Sequence, residues 1–180
     1  MGIPHGGYRN LKAYQVSEII YDGTVAFCRR FIDPRSRTTD QMIQAARSGK
    51  QNIAEGSMAS ATSKTTEIRL TGVARASLEE VLLDLEDYIR QNGLSVWEPD
   101  SRKALFIREL GKTPQATYSA YRIYIEEKSA ETAANTLICL LHQANHLLDR
   151  LIEAQRRAFI EVGGSTEDLY AARLAHRRKK

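Results

Sequence analysis

The sequence is poor in the residues and segments that mark a secreted or membrane-bound protein. It has two cysteines and four prolines among 180 residues, and aromatic residues make up only 7% of it. No apolar run approaches the length of a membrane span, and the first seven residues lack the apolar core of a signal peptide. We therefore expect a cytoplasmic protein without membrane contact. Cys28 and Cys139 could pair in a secreted protein, but two reduced thiols are the better interpretation here.

Motifs for catalysis are also missing. No serine lies in a G-x-S-x-G turn, no glycine-rich loop resembles a phosphate cradle, and no cysteine carries the local signature of a thiol enzyme. No histidine follows a glutamate by three residues, which argues against the Glu-x-x-His pairs of di-iron bundles. The prediction is a protein without enzymatic activity and without a cofactor.

What the sequence does contain is helical periodicity. Hydrophobic residues recur in alternating steps of three and four, and no alternating strand pattern occurs. The predicted helices cover residues 8–31, 39–55, 64–92, 101–111 and 115–162, the last with a break near 127–129. We predict an all-α fold: an antiparallel up-down four-helix bundle over residues 8–162, with an extra short helix between the third and last long helices. A basic C-terminal tail over residues 163–180 follows the bundle.

The second predicted helix has an unusually small face, formed by Ala45, Ala46, Ser48 and Gly49. A glycine inside a helix costs about 1 kcal/mol relative to alanine. Gly49 therefore predicts the close approach of another helix backbone. The serine- and threonine-rich residues 56–63 are predicted to be a loop.

Positive charge is concentrated in two places. The formal net charge is +4, and residues 165–180 supply +3 of it, from five basic and two acidic residues. A second cluster falls at the turn between the first two predicted helices, and further basic residues lie near the second and third helices. These positions are candidate phosphate contacts, although charged turns and tails are also common as ordinary solvated surface. The candidate nucleic-acid-binding residues are Arg29, Arg30, Arg35, Arg37, Arg47, Lys50, Lys64, Arg173, Arg177 and Arg178.

One side of the last helix carries potential metal ligands. At 100° per residue, Cys139, His142, His146 and Asp149 fall on the side opposite the leucine stripe. That side would face solvent, an added helix or a neighbouring subunit. A helix face spreads such residues over more than one turn, so two of them at most would meet one ion. We therefore predict no metal site and keep Cys139, His142 and His146 as the alternative.

Several segments resemble a known family. Residues 41–56, QMIQAARSGKQNIAEG, are followed by S-K-T-T-E and by A-R-A-S-L-E-E-V-L-L-D-L. This series resembles the four-helix bundle protein family, which includes proteins encoded in intervening sequences of large-subunit rRNA genes. The N-I-A-E-G segment, Asn52–Gly56, is the most specific part. The segments G-G-Y-R-N-L and C-L-L-H-Q-A-N are similar to the four-helix bundle suffix domain subgroup. Accessory proteins of diversity-generating retroelements are distant relatives.

The resemblance implies a compact bundle that assembles into rings, commonly pentamers, and has no established catalytic activity. The retroelement relatives bind nucleic acid and a reverse transcriptase. We therefore expect a non-enzymatic homo-oligomer, with a pentamer favoured, that acts as a nucleic-acid-associated accessory or scaffold protein. Its expected partners are copies of itself, RNA or DNA, and a reverse transcriptase or another protein. The alternative is a protein-interaction or structural module that does not bind nucleic acid.

Overall fold

The computed structural model describes residues 7–113, 117–164, 170, 173–174 and 176–177. Every regular element in this part of the chain is helical, which confirms the predicted all-α class. No helix there is long and apolar enough to cross a membrane. A 3₁₀ turn, Gly7–Asn10, precedes the first helix, and a π-helical turn, Ile123–Glu127, directly follows the fifth. The helices are α1 Lys12–Phe31, α2 Arg37–Ala59, α3 Lys64–Gln91, α4 Arg102–Lys112, α5 Tyr118–Arg122 and α6 Ala130–Val162.

Serine side chains cap the starts of four helices, namely α2, α3, α4 and α6. The hydroxyl of each serine accepts a hydrogen bond from a backbone N–H in the first turn, which supplies a partner to one of the free donors there. The prediction started the second helix at Thr39 or Asp40, whereas α2 begins two residues earlier because Ser36 provides the cap. The four capping residues are Ser36, Ser63, Ser101 and Ser129.

The predicted loop over residues 56–63 is wrong in its first half, because α2 continues to Ala59. Gly56 is a packing residue there and does not end the helix. A Cβ atom at Gly56 would lie 3.3 Å from the backbone oxygen of Glu67 on α3. The glycine is therefore explained by the close approach of two backbones at the α2–α3 corner.

The long helices that follow one another in the chain pack closely together. Between α2 and α3, a Cβ at Gly49 would lie 2.5 Å from the Leu78 side chain and 3.5 Å from the Ala74 carbonyl oxygen. Another helix does approach Gly49, but the close contact is with the Leu78 side chain and not with the helix backbone that was predicted. Between α3 and α6, Arg75 pairs with Asp149, and Thr71 accepts a hydrogen bond from Gln155 one turn away.

The first half of α6 is the most enclosed part of the fold. All nine residues from 133 to 141 are buried, on every side of the helix. Four elements contact α6, namely α1, α3, α4 and the π-helical turn. The short helix α4 therefore helps to enclose α6. Beyond residue 141 only one side of the helix is buried, and His142 and His146 are exposed.

Candidate nucleic-acid interface

The turn between α1 and α2 presents three exposed arginines. Pro34 disfavours helix at the residue before it, and the Asp33 side chain accepts a hydrogen bond from the backbone N–H of Arg35 at 2.8 Å. The Asp33 carboxylate is thereby used to shape the turn. The side chains of Arg29, Arg35 and Arg37 are exposed, and none of them forms an ion pair with another described residue.

Arg30 has a different role from its neighbours. Its guanidinium group donates hydrogen bonds to the backbone oxygens of Ile125 and Lys128, and it lies 4.3 Å from the centre of the Phe31 ring. It therefore ties the end of α1 to the segment that leads into α6. We call the segment with Arg29, Arg35 and Arg37 the arginine-rich turn. The bond from Arg30 to the Lys128 oxygen connects this turn with a cavity that Lys128 lines.

The cavity has a volume of about 370 Å³. It lies where the irregular linker after α3, the start of α4, the π-helical turn and the start of α6 meet. Three aromatic and three cationic side chains dominate its lining, and none of the described residues that line it is acidic. These six residues are Trp97, Phe106, Tyr124, Arg102, Lys103 and Lys128.

The aromatic rings of the cavity are held in defined positions. The centres of the Phe106 and Tyr124 rings are 5.7 Å apart in an edge-to-face arrangement. The ammonium group of Lys103 lies 5.3 Å from the centre of the Trp97 ring, within the range of a cation–π interaction. The indole Nε1 of Trp97 is buried and has no hydrogen-bond partner among the described residues.

A buried asparagine of α6 holds the linker that carries Trp97. The Oδ1 atom of Asn135 accepts a hydrogen bond from the backbone N–H of Trp97 at 2.7 Å. Its Nδ2 atom donates to the backbone oxygen of Ser95 at 2.8 Å. One side chain thus replaces the regular structure that this linker lacks. Asn135 was not predicted from the sequence, where it stands beside Thr136 in an otherwise apolar run over residues 133–141.

The remaining predicted phosphate contacts are dispersed. Arg47 is exposed in the middle of α2, and the Lys50 ammonium lies 4.9 Å from the centre of the Tyr21 ring. Lys64 is at the far end of the molecule and pairs with Glu67 at 3.3 Å. Arg173 and Arg177 are exposed, and Arg178 lies outside the described residues. The structure therefore brings Arg29, Arg30, Arg35 and Arg37 together, whereas Arg47, Lys50 and Lys64 lie elsewhere on α2 and α3.

The potential metal ligands of α6 differ in burial and in their partners. Cys139 is buried, and burial raises the pKa of its thiol, whereas His142 and His146 are exposed. Asp149 pairs with Arg75 at 3.2 Å. The described residues contain no group of three histidine, cysteine, aspartate or glutamate side chains placed to hold an ion. Of the surroundings expected for this side of α6, an added helix is present, because α4 contacts α6.

The chain matches no family model, no curated protein and no solved structure. Its own residues therefore carry the functional proposal.

Proposed function

We propose that this protein is a non-enzymatic, homo-oligomeric accessory or scaffold protein that associates with nucleic acid. In this proposal α1, α2, α3 and α6 form an antiparallel up-down four-helix bundle related to the four-helix bundle protein family. The observation that carries the proposal is the set of exposed arginines at one end, Arg29, Arg35 and Arg37, which form no ion pair with other described residues.

Exposed arginines suit phosphate binding for two reasons. The guanidinium group matches two phosphate oxygens at once, and an arginine without an ion pair gives up no partner when it binds. Lys64 has to leave Glu67 before it can contact a phosphate, so it contributes less. Phosphate contacts carry no sequence information by themselves, and the expected binding is therefore independent of sequence.

The test is fluorescence anisotropy with labelled duplex DNA and labelled structured RNA across a salt series. Each neutralised phosphate contributes about 0.9 to the slope of log affinity against log salt for duplex DNA. Replacing Arg29, Arg35 and Arg37 with glutamine should therefore lower the magnitude of that slope by up to about 3 and weaken binding at low salt.

A matched control removes the same charge elsewhere. Arg69, Arg150 and Arg156 are also exposed and lie on α3 and α6, away from the α1–α2 turn. Their replacement with glutamine should leave most of the affinity intact. The proposal fails if wild-type binding does not respond to salt, or if the control variant loses as much affinity as the turn variant.

Self-association is proposed for the outward face of α3. Val73 and Leu83 are 43% and 55% exposed on this face, and Ala76 lies between them in helical register. Contact with another protein surface would remove the exposed parts of these two apolar side chains from water. Sedimentation of the wild-type chain should show an oligomer that Leu83→Glu weakens. A monomeric wild type at tens of micromolar would remove this part of the proposal, and a different protein would then be the candidate partner for the face.

A further inference from the structure

We propose that the cavity beside α4 binds one nucleotide unit, with the base among its aromatic rings and the phosphate against its cations. This chemistry has two sources, a free mononucleotide or an unpaired nucleotide of a single strand. Only the second source rests on the proposed function. The cavity differs from the arginine-rich turn because it offers aromatic rings as well as charge.

The size of the cavity fits a small ligand. Its volume of about 370 Å³ lies at the lower end of the range of small-molecule sites, which begins near 300 Å³. Four segments of the chain form it, so a ligand there contacts several elements at once. A single nucleotide, or a single base extended from a strand, is of the right order for this space.

The aromatic lining favours a planar ring. Phe106 is 49% exposed, and its ring already contacts Tyr124 in an edge-to-face arrangement. Stacking of a base on such a ring is favourable whatever the base, because every base has a π face. A bound base would remove part of the exposed Phe106 surface from water, which adds to the binding energy.

The charge of the lining favours a phosphate. Arg102 and Lys103 occupy the first turn of α4, where the helix dipole already places partial positive charge. Cations in a first turn oppose the dipole and weaken the helix slightly, so these two residues break a rule of helix design. An anion beside them would interact favourably with both cations and with the dipole.

Glu126, an acidic group on the π-helical turn, is engaged elsewhere. The carboxylate of Glu126, on the π-helical turn, accepts a hydrogen bond from the Tyr118 hydroxyl at 2.8 Å and pairs with Arg122 at 3.4 Å. Lys128, on the other side of the cavity, forms no ion pair with a described residue. Lys128 is therefore not neutralised by Glu126.

The walls are held in place before any ligand binds. Asn135 fixes the backbone on both sides of Val96, and Arg30 binds the backbone oxygen of Lys128 at 3.0 Å. A ligand therefore loses little binding energy to ordering the linker.

Trp97 makes the proposal directly measurable, because it is the only tryptophan in the chain. The full chain is titrated with AMP and with an eight-residue oligodeoxyadenylate, with excitation of Trp97 away from the absorption of the bases. Adenosine lacks the phosphate and ribose 5-phosphate lacks the base, so these two compounds test the two halves of the site. We expect saturable quenching by AMP or by the oligonucleotide, with at least fivefold weaker binding of adenosine and of ribose 5-phosphate.

The two nucleotide probes separate the two sources. Comparable affinity for AMP and the oligonucleotide supports a free nucleotide, and a clear preference for the oligonucleotide supports an unpaired base in a strand. Absence of quenching by both probes overturns the proposal, as does equal binding of AMP and ribose 5-phosphate. Anisotropy of a labelled oligonucleotide provides a second measurement that does not depend on Trp97.

Variants distinguish this site from the arginine-rich turn. Phe106→Ala should weaken oligonucleotide or AMP binding about tenfold, because it removes a stacking surface. Leu105→Ala is the matched control, since Leu105 is adjacent, similarly exposed at 47%, and does not line the cavity. Phe106→Ala should leave salt-dependent binding of duplex DNA unchanged, so the cavity and the turn can fail independently. Equal losses in the Phe106 and Leu105 variants would contradict the proposal.

Discussion

The side chain of Asn135 and the backbone of Trp97 form the hydrogen bond that positions the linker between α3 and α4. The donor is the Trp97 N–H, and the acceptor is Oδ1 of a residue that is 1% exposed. The Nδ2 atom of Asn135 also donates to the backbone oxygen of Ser95. Without this side chain the linker would have two unpaired backbone groups next to a helix that is buried on all sides, so its conformation depends on one residue 38 positions away.

Asn135→Ala should therefore destabilise the protein and release the linker. We expect a loss of about 2–3 kcal/mol in the free energy of unfolding, because two partly buried backbone groups lose their partner. Urea unfolding followed by circular dichroism measures this loss, and the emission of Trp97 should shift to longer wavelength as the indole gains water. Asn92→Ala is the control, since Asn92 is exposed and its side chain donates a hydrogen bond to the nearby Tyr88 carbonyl of the same helix. Similar losses in both variants would show that Asn135 does not have this special role.

Two glycines in helices should respond to alanine with opposite signs. At Gly49, a Cβ would lie 2.5 Å from the Leu78 side chain, so Gly49→Ala should destabilise the protein by about 1–3 kcal/mol despite the better helix propensity of alanine. At Gly72 on α3, a Cβ would meet nothing within 4 Å. Gly72→Ala should then stabilise by about 0.5–1 kcal/mol. Thermal unfolding of the two variants decides the matter, and a change of the same sign in both would contradict the packing described for Gly49.

The helices were predictable where periodicity and caps coincide. The stripe through Leu78, Val81 and Leu85 repeats in steps of three and four, and Ser63 stands directly before it, so the predicted and observed α3 agree to within one residue. The end of α2 was not predictable in the same way. A glycine followed by serines is a turn signal in a sequence, and only the approach of α3 shows that Gly56 is a packing residue.

The candidate site was only partly predictable. The arginines around Asp33 are close in sequence, so their proximity follows from the turn alone. The three aromatic residues of the cavity come from separate segments: Trp97 from the linker, Phe106 from α4 and Tyr124 from the π-helical turn. Their proximity depends on how α4 packs against α6. One sequence feature could have indicated the cavity. Arg102 and Lys103 lie in a first helical turn without an acidic residue, which is unfavourable for the helix itself.

Burial of Cys28 should make stability fall at alkaline pH. Loss of hydration, with a smaller effect from the charge of Asp84, raises the pKa of the Cys28 thiol from 9.0 to about 11. Between those pH values the folded protein keeps the thiol proton and the unfolded chain loses it. The contribution is therefore complete below pH 9 and is lost as pH rises to about 11, by about 3 kcal/mol in total.

The Cys28→Ala variant isolates this effect from the buried tyrosines. The pKa values of Tyr88 and Tyr121 are also raised by burial, and these groups titrate in both proteins. The stability difference between wild type and Cys28→Ala, measured by urea unfolding from pH 8 to pH 10.5, should shrink with rising pH. A constant difference would mean that Cys28 does not carry the raised pKa.

Arg29 and Arg30 are neighbours with the same charge, and they should behave differently on substitution. Arg30→Gln removes a guanidinium group that donates hydrogen bonds to two backbone oxygens in the segment just before α6. We therefore expect a loss of about 2 kcal/mol in the free energy of unfolding. Arg29→Gln removes an exposed side chain without an ion pair among the described residues, and the loss should stay within about 0.5 kcal/mol.

Arg30→Lys then separates charge from geometry. Lysine keeps the positive charge, but its single ammonium group lacks the planar fork with which Arg30 reaches the Ile125 and Lys128 oxygens. If Arg30 acts as a structural link, the lysine variant should be nearly as unstable as the glutamine variant by urea unfolding, and Trp97 emission should change in both. If lysine restores full stability, charge alone is sufficient at this position. Arg30 would then belong with Arg29, Arg35 and Arg37 as a surface cation, and the link between the turn and the cavity would be lost.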